Sequence, residues 1–171
     1  MPEIMQYLLQ RRSIRKYTSQ PVSRELLRQL LQAAMAAPSA SNSCPWEFIV
    51  VTEAATFAQL RRKFRTANYN ATAAIVIASN LDLARNAASK RFWEQDCSAA
   101  TENILIAAAG LGLGAVWIGV YPLKSFIKRL ADVLAIPPQV TPLAMVYLGY
   151  PAEEKPARTQ YDAQRVHWER Y

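Results

Sequence analysis

The stretch RRSIRKY, residues 11–17, sets four cations, Arg11, Arg12, Arg15 and Lys16, within six residues. Guanidinium groups pair bidentately with phosphate oxygens, and a lysine adds a point charge. Such a cluster suits a nucleic-acid backbone, an anionic membrane surface or a pocket for one small anion. EKPAR adds Lys155 and Arg158 near the other end of the chain, and RRKFR spans residues 61–65. PSASNSCPW, residues 38–46, is a loop of small residues that lets backbone approach a flat ring closely. Metal chemistry finds no support, because Cys44 and Cys97 have no CxxC spacing and His167 stands alone. Cys44 has no base near it in sequence, so its thiol reads as packing rather than as a nucleophile.

The elements that must position these residues follow from periodicity. PEIMQYLLQ reads as a short helix with Ile4, Leu8 and Leu9 on one side. SRELLRQLLQAAMAA, 23–37, is amphipathic, with Ser23 suited to the N-cap and Pro38 as its stop. WEFIVV (46–51) and AAIVIAS (73–79) read as apolar strands flanking a helix over 53–66. A long Ala-rich helix from about Lys90 to Leu111 leads into the strand AVWIGV. A helix over 123–135 and a last strand, LAMVYLG (143–149), follow, with PPQVTP read as the break between them. The tail is polar and turn-rich. This mixture without strict βαβ alternation predicts an α+β sheet packed between helices, in a single domain over 1–171.

The totals narrow the chemistry. Of 171 residues 51% are hydrophobic, enough for a core, and the net charge of +7 favours anionic partners without naming one. Residues 104–123 carry no charge over a length that could span a bilayer, but Gly110, Gly112, Gly114 and Gly119 break the run. It reads as a buried helix turning into a buried strand. The N-terminus lacks the charge-then-apolar order of a secretory signal, and a reduced cytoplasmic setting fits two unpatterned cysteines.

RRSIRKY, PSASNSCPWEFIVV, ATENILIAAAGLGLGAVWIG and GYPAEEKPAR form one ordered series along nearly the whole chain. In this order they resemble the flavin-dependent nitroreductase family. The resemblance implies a sheet of about five strands, mixed or antiparallel, between helices, with the C-terminal segment extending onto the partner of a homodimer. It implies FMN as cofactor and NADH or NADPH as reductant. Electrons would pass by a ping-pong mechanism through flavin N5 to an electron-poor acceptor such as a nitroaromatic or a quinone. Arg11 and Ser13, with Arg12 beside them, would grip the FMN phosphate, and Lys155 and Arg158 would close its pocket from the C-terminal side. Arg15 would reach the pyrimidine edge and stabilise the reduced ring. Pro38, Ser39, Ala40, Ser41 and Asn42 would come from the partner subunit and lie along the flavin. Ile118, Gly119 and Val120 would turn backbone toward N5.

Several residues carry two readings. Asn42 serves either the flavin or its own turn, since Asn bonds local backbone readily. Asn70 aligns with a family residue at the pyrimidine edge and equally suits a strand start. Gly119 either admits the ring or packs the core. Tyr69, Phe92 and Trp93 serve either the outer wall of a substrate pocket or the core and interface. The chain departs from the family at Cys44, where many relatives carry Gln. It departs again after Asn70, where Ala71, Thr72, Ala73 and Ala74 replace a stretch that often holds a Lys. GLGLG lacks G-x-x-x-x-G-K-[ST] and follows a helix, so it is no phosphate loop. Two rivals remain: a flavin binder without turnover, and a basic nucleic-acid-binding domain. The second lacks any recognised fold signature, and its cations are scattered over separate elements.

Overall fold

The computed structural model describes residues 2–84 and 86–171. Five helices and four strands follow one another as α1 (Glu3–Gln10), α2 (Arg24–Met35), β1 (Trp46–Val51), α3 (Ala54–Lys63), β2 (Ala73–Asn80), α4 (Ala87–Gly110), β3 (Gly114–Gly119), α5 (Lys124–Leu134) and β4 (Val140–Gly149). The strands form one antiparallel sheet in the order β1-β2-β4-β3. The expected α+β architecture is present, with four strands among the described residues. At the β3 edge, the described residues add the parallel bridge Ser13–Ala115 and no fifth strand.

Alternation on the two central strands sets up the layers. Ile75, Ile77, Val146 and Leu148 join the cluster that α2 and α4 cover, while Val76, Met145 and Tyr147 join the one beneath α3 and α5. Both faces are therefore buried, which is why β2 reads as an unbroken apolar run rather than an alternating one. Burial pushes the Tyr147 phenol up to about 12.

The uncharged stretch 104–123 divides as its glycines suggest. α4 ends at Gly110, the Leu113 N–H returns to the Ala108 carbonyl at 2.8 Å, and Gly112 takes φ 71°. That left-handed C-terminal turn is one glycine adopts without a Cβ penalty. Among the described residues, no helix is long and apolar enough to cross a membrane. β4 starts three residues earlier than PPQVTP implied, at Val140. Pro142 lies at the register irregularity where Ile77 and Ala78 face Ala144 and Pro142. A bulge is where a strand tolerates the missing proline donor.

The segment after α1 lies across the end of this sheet. Gly114 and Gly149 are direct register partners on β3 and β4. A Cβ on Gly114 would stand 2.7 Å from Ile14 Cγ2, and one on Gly149 would stand 2.8 Å from Tyr17 Cδ1. The two glycines form a floor on which Ile14 and Tyr17 settle, both buried. Burying Ile14 alone contributes about 1.5–3 kcal/mol. Gly149→Ala pushes its new methyl into the Tyr17 ring, and overpacking of this kind costs about 1–3 kcal/mol. Urea unfolding should show that loss; an unchanged midpoint would mean that the ring yields freely and the floor sets nothing.

Candidate active site

RRSIRKY is neither helix nor free loop but a strap held at both ends. The Ile14 N–H donates to the Ala115 carbonyl at 2.9 Å, and the Thr18 N–H donates to the Tyr150 carbonyl at 2.8 Å. The Tyr17 hydroxyl donates to the Ile14 carbonyl, and burial raises that phenol above its ordinary range. Asn70 completes the clasp. Its Oδ1 accepts from the Tyr17 N–H at 3.1 Å, and its Nδ2 donates to the Tyr17 carbonyl at 2.6 Å. A side-chain amide is the one group that can mimic a strand neighbour in this way.

The tail crosses the strap. The Ala152 N–H donates to the Lys16 carbonyl at 2.9 Å, and Pro151 bridges Tyr17. The Glu153 Oε1 accepts the Arg15 N–H at 2.5 Å and the Lys16 N–H at 3.2 Å. Lys155 Nζ stands 3.3 Å from the same oxygen and donates to the Ser13 carbonyl at 2.5 Å. The Arg15 N–H, and then Lys155, hold the Glu153 carboxyl below its usual range. Arg12 donates to the Pro156 carbonyl. The Arg158 N–H donates to the Leu9 carbonyl at 3.1 Å, tying the tail to the end of α1.

Residues almost a chain length apart thus meet. Arg11, Arg12 and Glu153 line a cavity of about 180 Å³ with Gln10, Gly112, Gly114 and Pro151. Arg11 Nε is 3.5 Å from Glu102 of α4, and the Arg15 guanidinium lies 6.0 Å from the Tyr69 ring centroid. Cations outnumber carboxylates around the crossing, so the arrangement can hold an anion. At the far end of β3, Gly119 is exposed, and a Cβ there would meet nothing within 4 Å. Internal packing therefore does not explain that glycine. Ile118 beside it is half-buried.

The loop after Pro38 is fastened by its own side chains and by α4. Ser41, Asn42 and Cys44 adopt φ 53°, 51° and 48°. Left-handed backbone in residues other than glycine costs of order 1–3 kcal/mol each and persists only where neighbours enforce it. Two contacts do so: Ser39 Oγ accepts the Cys44 N–H at 3.0 Å, and Asp96 Oδ1 accepts the Ala40 N–H at 2.9 Å. The Cys44 thiol lies 3.6 Å from Ser39 Oγ and 3.7 Å from Asn42 Oδ1, within the loop itself. Of the aromatic candidates, Trp93 is buried edge-on against Tyr121 at 4.8 Å, Tyr69 meets Tyr147 edge-on at 6.3 Å, and Phe92 is exposed.

Three residues that shape the candidate site escaped the sequence reading. Tyr17 and Glu153 sit inside quoted motifs, but nothing in GYPAEEKPAR separates Glu153 from Glu154. Asp96 left a signal: it falls on the buried stripe of Trp93, Cys97 and Ala100 on α4, where a lone carboxylate needs a reason. Its second oxygen is buried without a partner. Burial, and then Asp96 beside it, pushes the Cys97 thiol up to about 12, which leaves that cysteine inert.

Two tests follow. Because Glu153 is depressed in the folded state, the strap clasp is complete at neutral pH and weakens only as pH falls through that lowered value. In an NMR titration the Arg15 and Lys16 amide protons should shift together with a midpoint below 4.5, the group's ordinary value. A midpoint at or above it would show that the carboxylate does not grip those amides. Asp96→Ala leaves the Ala40 N–H without its acceptor and should cost about 1–3 kcal/mol, with faster amide exchange at Ala40. Asp96→Asn, which keeps an oxygen, should recover most of the loss; equal losses in both variants would remove the oxygen from the account.

The Nitroreductase family sequence model matches this chain over residues 8–70 and 58–150. A protein of Archaeoglobus fulgidus, provisionally named NADH dehydrogenase/NAD(P)H nitroreductase, is 41% identical over 176 residues, covering 100% of both chains. A crystal structure from Parabacteroides distasonis with the same provisional name superposes with a TM-score of 0.92 at 34% identity, covering 100% of both chains. An FMN-dependent nitroreductase from Clostridium difficile superposes with a TM-score of 0.87 at 31% identity, over 98% of this chain and 99% of its own. Fold, motif order and these likenesses agree, and the chain belongs to the nitroreductase family.

Proposed function

We propose that this protein is an FMN-dependent NAD(P)H oxidoreductase acting on an electron-poor acceptor such as a nitroaromatic or a quinone. One observation carries the reading: the crossing of strap and tail, which gathers Arg11, Arg12, Arg15 and Lys155 about Ser13 and Glu153. That donor set fits a phosphate, which takes Arg forks and a Lys point charge. The open backbone at Gly119 fits a flat ring laid against the strand. FMN, when bound, would supply two-electron redox chemistry linking NADH or NADPH to the acceptor in a ping-pong sequence.

The chain's own residues bind and orient. Arg11, Arg12 and Ser13 hold the phosphate from the strap, and Lys155 and Arg158 from the tail. Arg15 would set a positive charge at the pyrimidine edge and so favour negative charge there. Asn70 uses one lone pair and one N–H on Tyr17, which fixes the turn that carries Arg15, and its second N–H and lone pair serve the pyrimidine edge. Ile118 and Gly119 turn backbone toward the ring. The loop of Pro38, Ser39, Ala40, Ser41 and Asn42 is held in strained left-handed backbone by Ser39 and Asp96. As the family resemblance implies, it serves the site of a second copy.

A homodimer accounts for other surfaces as well. No residue of α1 is buried, although Ile4 and Leu8 are apolar. In the tail, Tyr161, Trp168 and Tyr171 are 75%, 83% and 105% exposed. A partner subunit would cover both, as expected of an obligate interface.

The test is the visible spectrum of protein reconstituted with FMN. The flavin band should bleach on adding NADH or NADPH and return with a nitroaromatic or quinone. A band that stays unbleached by both reductants would leave a flavin binder without turnover; no band at all would remove the flavin site. Arg15→Ala should slow the bleaching at least about tenfold while changing FMN affinity less. Unchanged bleaching kinetics would take Arg15 off the ring edge.

A further inference from the structure

RRKFR is the basic motif that the strap site does not use. Arg62 and Lys63 close the last turn of α3, and Arg65 follows it. The fold brings Arg129 of α5 beside them, with its Nη1 donating to the Lys63 carbonyl at 3.3 Å. The Arg129 guanidinium also lies 5.5 Å from the Phe126 ring centroid, and Phe126 meets Phe64 edge-on at 5.3 Å. Together with Thr66 these residues line a groove of about 380 Å³ that contains no carboxylate. That volume falls within the range of small-ligand sites, roughly 300–1,000 Å³.

Residues 61–65 and 124–132 hold seven cations against one acid, Asp132, and so carry all but one of the net +7. Asp132 is engaged by Lys128 at 3.0 Å, and Arg61 is spent on the Tyr69 and Ala71 carbonyls. Among the described residues, none of Arg62, Lys63, Arg65 and Arg129 makes an ion pair. Cations in a last helical turn ordinarily answer the helix dipole. That accounts for Arg62 and Lys63, but not for Arg65 beyond the helix or Arg129 on another one. Clustered like charges repel unless an anion joins them, and three arginines among four cations favour phosphate.

We propose that this groove is a second anion site, for a small ligand carrying two or more adjacent phosphates. Arg129, held by Phe126 and the Lys63 carbonyl, forms its fixed wall, and Arg62, Lys63 and Arg65 close over the phosphates. The site is independent of the flavin reading, because its residues are not those of the strap or the tail.

Calorimetric titration of the full chain with inorganic tripolyphosphate, at 0.1 M salt and with excess FMN occupying any flavin phosphate site, tests it. Expected is one ligand per chain, bound at least about tenfold more tightly than orthophosphate. Arg65→Ala and Arg129→Ala should each weaken binding about tenfold, while Lys90→Ala on α4 leaves it unchanged. Arg129→Lys, which keeps the charge, guards against a fold defect and should recover part of the loss. No saturable binding, or equal weakening by Lys90→Ala, would overturn the proposal. A thymidine 12-mer forms a second arm: tighter binding than tripolyphosphate, with sensitivity to Lys124→Ala outside the groove, would assign the patch to a polymer and overturn the small-ligand site.

Discussion

The close approach of the strap to the paired glycines of β3 and β4 is the constraint on which the rest of the site depends. Gly114 and Gly149 face each other in register, and each leaves space that a side chain of the strap fills. Only because Ile14 and Tyr17 lie that deep can the Ile14 N–H reach Ala115 and Asn70 pair with both backbone groups of Tyr17. With those two residues fixed, Arg11, Arg12 and Arg15 have little freedom left except to project from the strap. Glu153 then fastens the tail across the same residues and brings Lys155 with it. Hydrophobic burial supplies the energy, and hydrogen bonds supply the register.

The elements were largely legible because the sheet is covered on both faces and the helices are amphipathic. Boundaries moved where a proline misled: PPQVTP looks like a break, yet Pro142 sits at a bulge inside β4. The two basic motifs of the proposed flavin site were legible as chemistry, through the order of four motifs rather than through any one of them. What joins them was not. A carboxylate that binds two backbone amides 138 and 137 residues earlier leaves no local pattern. The work of the GLGLG glycines within the fold, a helix stop at Gly112 and a floor at Gly114, is visible only with the neighbouring strand and strap in place. Asn70 shows the same limit. Turn residue and ligand contact are the choices a sequence offers, and the structure uses its amide as a clasp.

The two halves of the site are built by opposite means. The strap and tail are held by burial and by contacts across the length of the chain. The 38–44 loop is held in left-handed backbone by Ser39 and by Asp96 of α4. In the proposed function each half belongs to a different active site, which is reason enough for both to be rigid before the subunits meet. It also explains why α1 and the tail, at the two ends of the chain, leave apolar groups exposed together.

The central claim is that the cations of strap and tail serve one phosphate. Comparing the affinities of FMN and riboflavin, which differ only by that group, tests it without reference to turnover. Two charge-assisted contacts, each of about 1.5–3 kcal/mol, predict FMN binding at least about a hundredfold tighter at 0.1 M salt. The preference should shrink toward unity in a variant lacking both Arg11 and Lys155. Equal affinity for the two flavins in the unaltered protein would contradict the account, because the strap would then be holding its cations for something else.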